Sequence, residues 1–326
     1  MFAVYAHAIN PEDPLSALTV GDIDQPPTPE EWVNVNVKAA SLNHHDLWSL
    51  KGQALKADRL PMILGSDASG VTDDGREVVV HAVIGTKQQV GDRVLDETLD
   101  TRRTLLSELY PGTLAEVVRV PERNLLMKPA GVSFEQAACL PTAYLTAYRM
   151  LAHRSNTQPG DTVLIQGAGG GVATAAILLG KALGLQVWVT SRDQAKAHAA
   201  LALGADQAFE SNAKLPDKVD AVIETVGEAT WAHSLRSLRP GGTIAVSGAT
   251  SGAMPPADLN RVFFLQLTIN GSTMGSITDF AEMLELLDRT GTAPVIDSVR
   301  PMRDARSAFA AMLDGNLNGK LVLVND

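Results

Sequence analysis

One cysteine, Cys139, occurs in 326 residues. A lone thiol excludes an internal disulfide framework and any metal site built from several cysteines. It fits a reducing cytoplasm. Basic blocks are absent too, and the net charge is −10. Nucleic acid and anionic membranes are therefore poor candidate partners. No apolar run approaches the roughly 20 residues that a membrane-spanning helix needs. The start, Met1-Phe2-Ala3-Val4-Tyr5-Ala6-His7, lacks the basic region and the long apolar core of a signal peptide. Internal repeats and low-complexity tracts are missing. What remains is an ordinary globular composition, 45% hydrophobic and 20% charged, in a chain long enough for two domains.

The most informative segment is Thr162-Val163-Leu164-Ile165-Gln166-Gly167-Ala168-Gly169-Gly170-Gly171-Val172-Ala173. An apolar run meets a glycine cluster, and an Ala-rich helical pattern follows to about Leu183. The order strand, tight turn, helix leaves N–H groups exposed at a helix start. Small residues there let a pyrophosphate approach the backbone. The pattern predicts a dinucleotide site.

The first ~130 residues carry short strand patterns punctuated by Pro and Gly, as in Trp32–Ala39, Val78–Val83 and Leu114–Val120, and predict a β-rich, barrel-like domain. The polar stretch from Glu97 to Leu109 reads as a surface excursion. Phe134–Arg149 reads as a helix broken near Pro141. Regular β-α units follow, with strands at Val163–Gln166, Gln186–Thr190, Ala221–Thr225, Thr243–Ser247 and Leu267–Gly271. They imply a parallel sheet covered by helices on both faces. The tail reads as helices Ile277–Arg289 and Ala305–Leu313 and a strand Lys320–Val324.

A series of motifs in this order resembles the medium-chain dehydrogenase/reductase superfamily. They are Ser41-Leu42-Asn43-His44-His45-Asp46, Leu64-Gly65-Ser66-Asp67-Ala68-Ser69-Gly70, Val90-Gly91-Asp92-Arg93-Val94 and Gly112-Thr113-Leu114-Ala115-Glu116. Ala137–Tyr148, the glycine turn, Leu203-Gly204-Ala205-Asp206, Leu238-Arg239-Pro240-Gly241-Gly242 and Gly319-Lys320-Leu321-Val322 continue the series. The resemblance covers essentially the whole chain. It implies an α/β protein with a GroES-like β-rich catalytic domain (1–131 and 277–326) and a Rossmann doubly wound parallel sheet (132–276). It also implies homodimers through the Rossmann edge strand.

Zinc alcohol dehydrogenases of that superfamily place a cysteine where Asn43 stands, a histidine where Ser66 stands, and a third ligand near Thr142. The cysteines of a structural zinc lobe would fall near residues 95–110, where none occurs. Zinc takes thiolate, imidazole or carboxylate ligands, so no catalytic metal is expected. A rearranged site from His44, His45, His81 and Asp67 is the alternative. The pattern is similar to the zinc-free quinone and enone reductases. In those relatives the Asn43 position lies near nicotinamide and substrate, and Trp48 stands where many carry Tyr. Thr146 is expected to support the nicotinamide. Tyr144 and Tyr148 are candidate proton donors, with core packing the plainer reading. Cys139 is expected to be a packed core thiol.

Comparison with the family places Ala168, Gly170 and Ala173 at the three small positions of the turn, with Gly169, Gly171 and Val172 between them. It places Ser191 where NAD enzymes carry a ribose-binding acid. Ser191 followed by Arg192, with Lys196 one helical turn on, predicts NADPH over NADH. Asp193 is read as a helix N-cap. Thr225-Val226, Gly248-Ala249-Thr250 and Ser272-Thr273-Met274 are expected to line the cofactor, and Lys320 to reach it from the tail. The expected activity is hydride transfer from NADPH to a quinone or an α,β-unsaturated carbonyl. The alternatives are an alcohol/aldehyde dehydrogenase and a non-catalytic NADPH-binding protein.

Overall fold

The computed structural model describes every residue except 87, 88, 91, 92, 95 and 326, and only the backbone of Gln89, Val90, Arg93 and Val94. Gly91 and Asp92 of the family motif thus lie outside the described residues. The chain forms two compact units. One comprises Met1–Ala143, Ser276–Asp288 and Ala293–Asp326; the other comprises Tyr144–Gly275 and Arg289–Thr292.

The first unit is built on a seven-stranded sheet. Its path runs Leu125–Met127, Glu77–Val80, Asp67–Thr72, Val33–Ser41, Lys320–Val324, Ile296–Pro301, and Val117–Val120 also pairs with Val33–Ser41. A second sheet joins Leu18–Asp22, Phe2–Ala6 and Met62–Ile63. Val35, Val37, Leu42, Leu64, Val80, Leu114, Phe309 and Leu323 share one apolar core. Register matters here. Ser41 lies opposite both Asp67 and Val322, so three distant segments converge where the Val33–Ser41 strand ends. The next residues, His44–Leu50, turn into a short helix capped at Asn43, whose backbone N–H donates to Asp46 Oδ2 at 2.8 Å. A carboxylate three residues inside a helix start satisfies a backbone donor that would otherwise be orphaned.

The expected surface excursion at Glu97–Leu109 is only partly exposed. Leu99, Arg102, Arg103 and Leu109 face solvent, whereas Thr98, Leu106 and Ser107 are buried and Thr104–Leu105 pairs with Val83–Ile84. Acidic side chains hold its backbone, since Thr98 N donates to Asp96 and Leu105 N donates to Glu108. The predicted helix from Phe134 is also more irregular. It is α-helical over Phe134–Ala137 and Leu145–Arg149 and π-helical over Leu140–Tyr144 and Met150–Arg154. Pro141, which has no N–H, sits in the first wide turn.

The second unit holds six parallel strands. Their order is Gln207–Glu210, Gln186–Ser191, Thr162–Ile165, Val219–Glu224, Leu238–Val246, Thr268–Gly271. Numbered along the chain this is 3-2-1-4-5-6, the doubly wound arrangement. Helices Gly171–Ala182, Gln194–Ala202 and Glu228–Ser237 connect successive strands. Leu164, Val222, Ile244, Leu235 and Leu267 are buried in one cluster with Trp188.

Candidate functional site

All strands of the second unit run the same way, so their carboxyl ends share one edge of the sheet. Ligands of such sheets bind at that edge, where the strand order reverses. Here the reversal lies between the neighbouring strands Thr162–Ile165 and Val219–Glu224. The structure brings most of the expected cofactor residues to that edge. Ala168–Ala173 follow the first strand, Ser191 ends the second and Arg192 follows it, and Thr225 and Val226 follow the fourth. Gly248–Thr250 and Ser272–Met274 follow the last two. Gly167 and Gly169 have φ of 85° and 87°, which an L side chain rarely adopts. Gly170 caps the Gly171–Ala182 helix, and a Cβ placed on it would meet nothing within 4 Å. Backbone N–H groups at an open helix start form a cradle that suits a pyrophosphate.

The second strand ends in a specific arrangement. Ser191 Oγ donates to Asp193 O at 2.8 Å, and the Asp193 carboxylate accepts from Ala195 N and Lys196 N at 2.7 and 3.2 Å. Asp193 is thus the helix N-cap that its position suggests. Arg192 is exposed and has no hydrogen-bond or ion-pair partner among the described residues.

A buried polar chain ties these loops together, and the sequence reading missed it. Gly167 N donates to Thr190 Oγ1 (3.2 Å), and Thr190 Oγ1 donates to Gln166 Oε1 (2.7 Å). Gln166 Nε2 donates to Ser234 Oγ (3.0 Å), which donates to Glu224 Oε2 (2.6 Å). Glu224 is fully buried, and its Oε1 accepts from Val226 N and Gly227 N at 2.8 and 3.0 Å. Thr230 Oγ1 also donates to it at 2.9 Å. The next loop is tied in turn, since Ser251 N donates to Val226 O at 2.8 Å. A carboxylate before Thr225-Val226-Gly227 is the one sequence signal that could have found this chain. In the same unit Thr146 is buried, with Oγ1 4.0 Å from Met274 Sδ.

The first unit holds a second polar cluster. Lys320, 3% exposed, donates from Nζ to Asn43 Oδ1 (2.5 Å), Leu42 O (2.7 Å) and Asp67 Oδ2 (3.2 Å). Ser41 Oγ donates to the same Asp67 oxygen at 2.7 Å. With its carbonyl on the ammonium, Asn43 directs Nδ2 to Ser66 Oγ at 3.3 Å, and Ser66 Oγ pairs with Thr142 Oγ1 at 3.1 Å. The three positions that resemblance links to zinc ligands therefore do meet. They present one amide and two hydroxyls, already hydrogen-bonded to one another, next to an ammonium ion. Such donors do not fit zinc, which takes thiolate, imidazole or carboxylate.

The rearranged metal set does not assemble among the described residues. His45 Nε2 is 3.1 Å from Glu108, His81 Nε2 is 2.8 Å from Glu97, and Asp67 holds Lys320. Asp46 is fully buried, accepting from Asn43 N and Gly65 N, and burial pushes its carboxyl up to about 6. Trp48 is 38% exposed and stacks on His44 with ring centroids 6.3 Å apart. Tyr144, Tyr148 and Cys139 are buried, and burial pushes the thiol up to about 12. A neutral, buried thiol is inert.

Comparisons with known proteins agree with this fold. Residues 171–289 match the family model of zinc-binding dehydrogenases, and residues 29–130 match that of the alcohol dehydrogenase GroES-like domain. A zinc-type alcohol dehydrogenase-like protein of Schizosaccharomyces pombe is 30% identical, over 90% of this chain and 91% of the relative. A 2-methylene-furan-3-one reductase of Solanum lycopersicum is 30% identical, over 91% of this chain and 73% of its own length. The crystal structure of an NAD-dependent alcohol dehydrogenase matches with a TM-score of 0.90 at 33% identity, covering 100% of both chains. The chain is an NAD(P)-dependent oxidoreductase, and it belongs to the medium-chain dehydrogenase/reductase superfamily.

Proposed function

We propose that this protein reduces a quinone or an α,β-unsaturated carbonyl with NADPH and without a catalytic metal. One observation carries the reading. Asn43, Ser66 and Thr142 occupy the ligand positions of the zinc enzymes as a neutral hydrogen-bonded set beside the Lys320 ammonium. With no metal to polarise a carbonyl, the acceptor must already be polarised, as quinones and enones are. The tomato relative, named for reducing a methylene-furanone, agrees with that chemistry.

Bound NADPH supplies the hydride. The chain's own residues orient, hold charge and exclude water. Gly167–Ala173 receive the pyrophosphate, and Arg192 faces the 2′-phosphate that an acid at Ser191 would repel. Thr225, Val226, Gly248–Thr250, Ser272–Met274 and Thr146 flank the remainder of the cofactor. Asn43 meets the substrate oxygen, and Trp48 offers a flat apolar face beside it. Residues 1–131 with 277–326 form the catalytic domain, and 132–276 the cofactor domain. The one buried thiol, Cys139, suits a cytoplasmic setting. Exposed Leu259, Phe263, Phe264 and Ile269 lie on or beside the sheet's edge strand Thr268–Gly271 and support a homodimer through that edge.

A second reading, an alcohol or aldehyde dehydrogenase, is favoured by the likeness to the NAD-dependent alcohol dehydrogenase. An acceptor panel separates the two. Naphthoquinone, cyclohexenone and a set of aldehydes are offered with NADPH and with NADH. Turnover confined to quinones and enones supports the proposal; turnover confined to aldehydes and alcohols overturns it.

A further inference from the structure

The reduction proposed above leaves a negative charge on the substrate, and a proton must meet it. The His44–Leu50 helix that starts at Asn43 carries an imidazole at its second position, His45. His45 Nε2 lies 3.1 Å from Glu108 Oε1. Glu108 is itself held in place, since its Oε2 accepts from Leu105 N at 3.1 Å and from Thr104 Oγ1 at 3.4 Å. A carboxylate fixed by backbone and bonded to one ring nitrogen sets the orientation and the tautomer of the ring. The other nitrogen, Nδ1, is buried and has no hydrogen-bond partner among the described residues. Leaving a buried polar atom unpaired is costly. That cost is relieved when a substrate oxygen arrives.

We infer that His45, oriented by Glu108, is the proton donor of the reaction, with its Nδ1–H directed at the substrate oxygen beside Asn43. The inference rests on the substrate placement in the proposed function. The step balances. Hydride delivered to the β-carbon shifts the C=C electron pair and leaves an enolate; the Nδ1–H bond breaks, and the proton passes to the enolate oxygen. The imidazole is left neutral, with Nε2–H still on Glu108, and Nδ1 regains its proton from water once the product has left. Burial alone would lower the His45 ionisation. Its hydrogen bond to Glu108, with the charges of Asp46 and Glu108, outweighs burial and raises the ionisation above 6.5. The donor form is thereby populated near neutral pH.

The test uses the full-length enzyme with cyclohexenone and NADPH, or with whichever acceptor the wild type turns over. The wild type should lose kcat/KM as pH rises from about 6 to about 9, with a solvent deuterium isotope effect on kcat. His45→Gln keeps an amide for Glu108 but cannot give up a proton. It should lower kcat about 100-fold or more and flatten the pH profile, with NADPH affinity unchanged. Glu108→Gln should move the falling limb to lower pH. Naphthoquinone should be less affected, because its reduced anion is a weak base. A wild-type rate independent of pH, or a folded His45→Gln enzyme within about three-fold of wild type on an enone, overturns the inference. Turnover of aldehydes alone overturns the proposed function instead, and the same variants then decide the His45 role on the aldehyde.

Discussion

The Lys320 ammonium lies 2.5 Å from Asn43 Oδ1, although 277 residues separate the two in sequence. The contact exists because the tail strand Lys320–Val324 pairs with the end of Val33–Ser41. It holds the Asn43 amide in one of its two orientations, carbonyl to Lys320 and NH₂ to Ser66. The amide hydrogens are thereby presented as donors, the polarity that a developing oxyanion needs.

Lys320→Met should destabilise the protein by about 3–5 kcal/mol, because the buried Asp67 carboxylate loses its cation. Adding Asp67→Asn to that variant should recover part of the loss, since no buried charge is then left alone. Denaturant melts of the two single variants and the double variant give the coupling. Strictly additive effects would mean that the pair does not interact.

The proposed preference for NADPH rests on Ser191 and Arg192. Arg192→Ala should raise the KM for NADPH about ten-fold or more and leave NADH unaffected, since a charge-assisted hydrogen bond contributes about 1.5–3 kcal/mol. Ser191→Asp should weaken NADPH and favour NADH by placing a carboxylate against the 2′-phosphate. Initial rates with the two cofactors check both changes.

Glu224 anchors two backbone N–H groups and two hydroxyls beneath the cofactor edge. Glu224→Ala should leave Val226 N and Gly227 N without an acceptor, at about 1–3 kcal/mol each. The Thr225–Gly227 loop should then loosen. Fluorescence titration should show NADPH affinity falling about ten-fold or more, with kcat at saturation changed much less. Unchanged affinity in a folded variant would mean that the buried chain serves stability alone.

The edge strand Thr268–Gly271 is short, and the exposed Phe263 and Phe264 precede it in the chain. Such an edge is a template for pairing with another copy. On the proposed dimer, light scattering should show two chains for the wild type and one for Phe264→Asp. A wild-type monomer at micromolar concentration would contradict the edge-strand dimer.

Local signals were legible in the sequence and distant ones were not. The glycine turn, the Asp193 cap and the alternation of strands and helices are written within a dozen residues. The Phe2–Ala6 strand went unnoticed because its burial does not alternate strictly. The segment 97–109 reads as surface throughout, yet Thr98, Leu106 and Ser107 are buried, because Glu97 and Glu108 bond to His81 and His45, which composition does not reveal. Lys320 and Asn43, His45 and Glu108, and Gln166 and Ser234 are joined only by the folded topology. The polar contacts of the candidate site lie largely in those pairs.

The central claim is reduction without a bound metal. The most direct measurement is the metal content of the purified enzyme, taken alongside NADPH-dependent enone or quinone turnover before and after chelation. The account predicts well below one zinc per chain and a rate that chelation leaves unchanged. Stoichiometric zinc, with activity lost on chelation and restored by zinc, would contradict it.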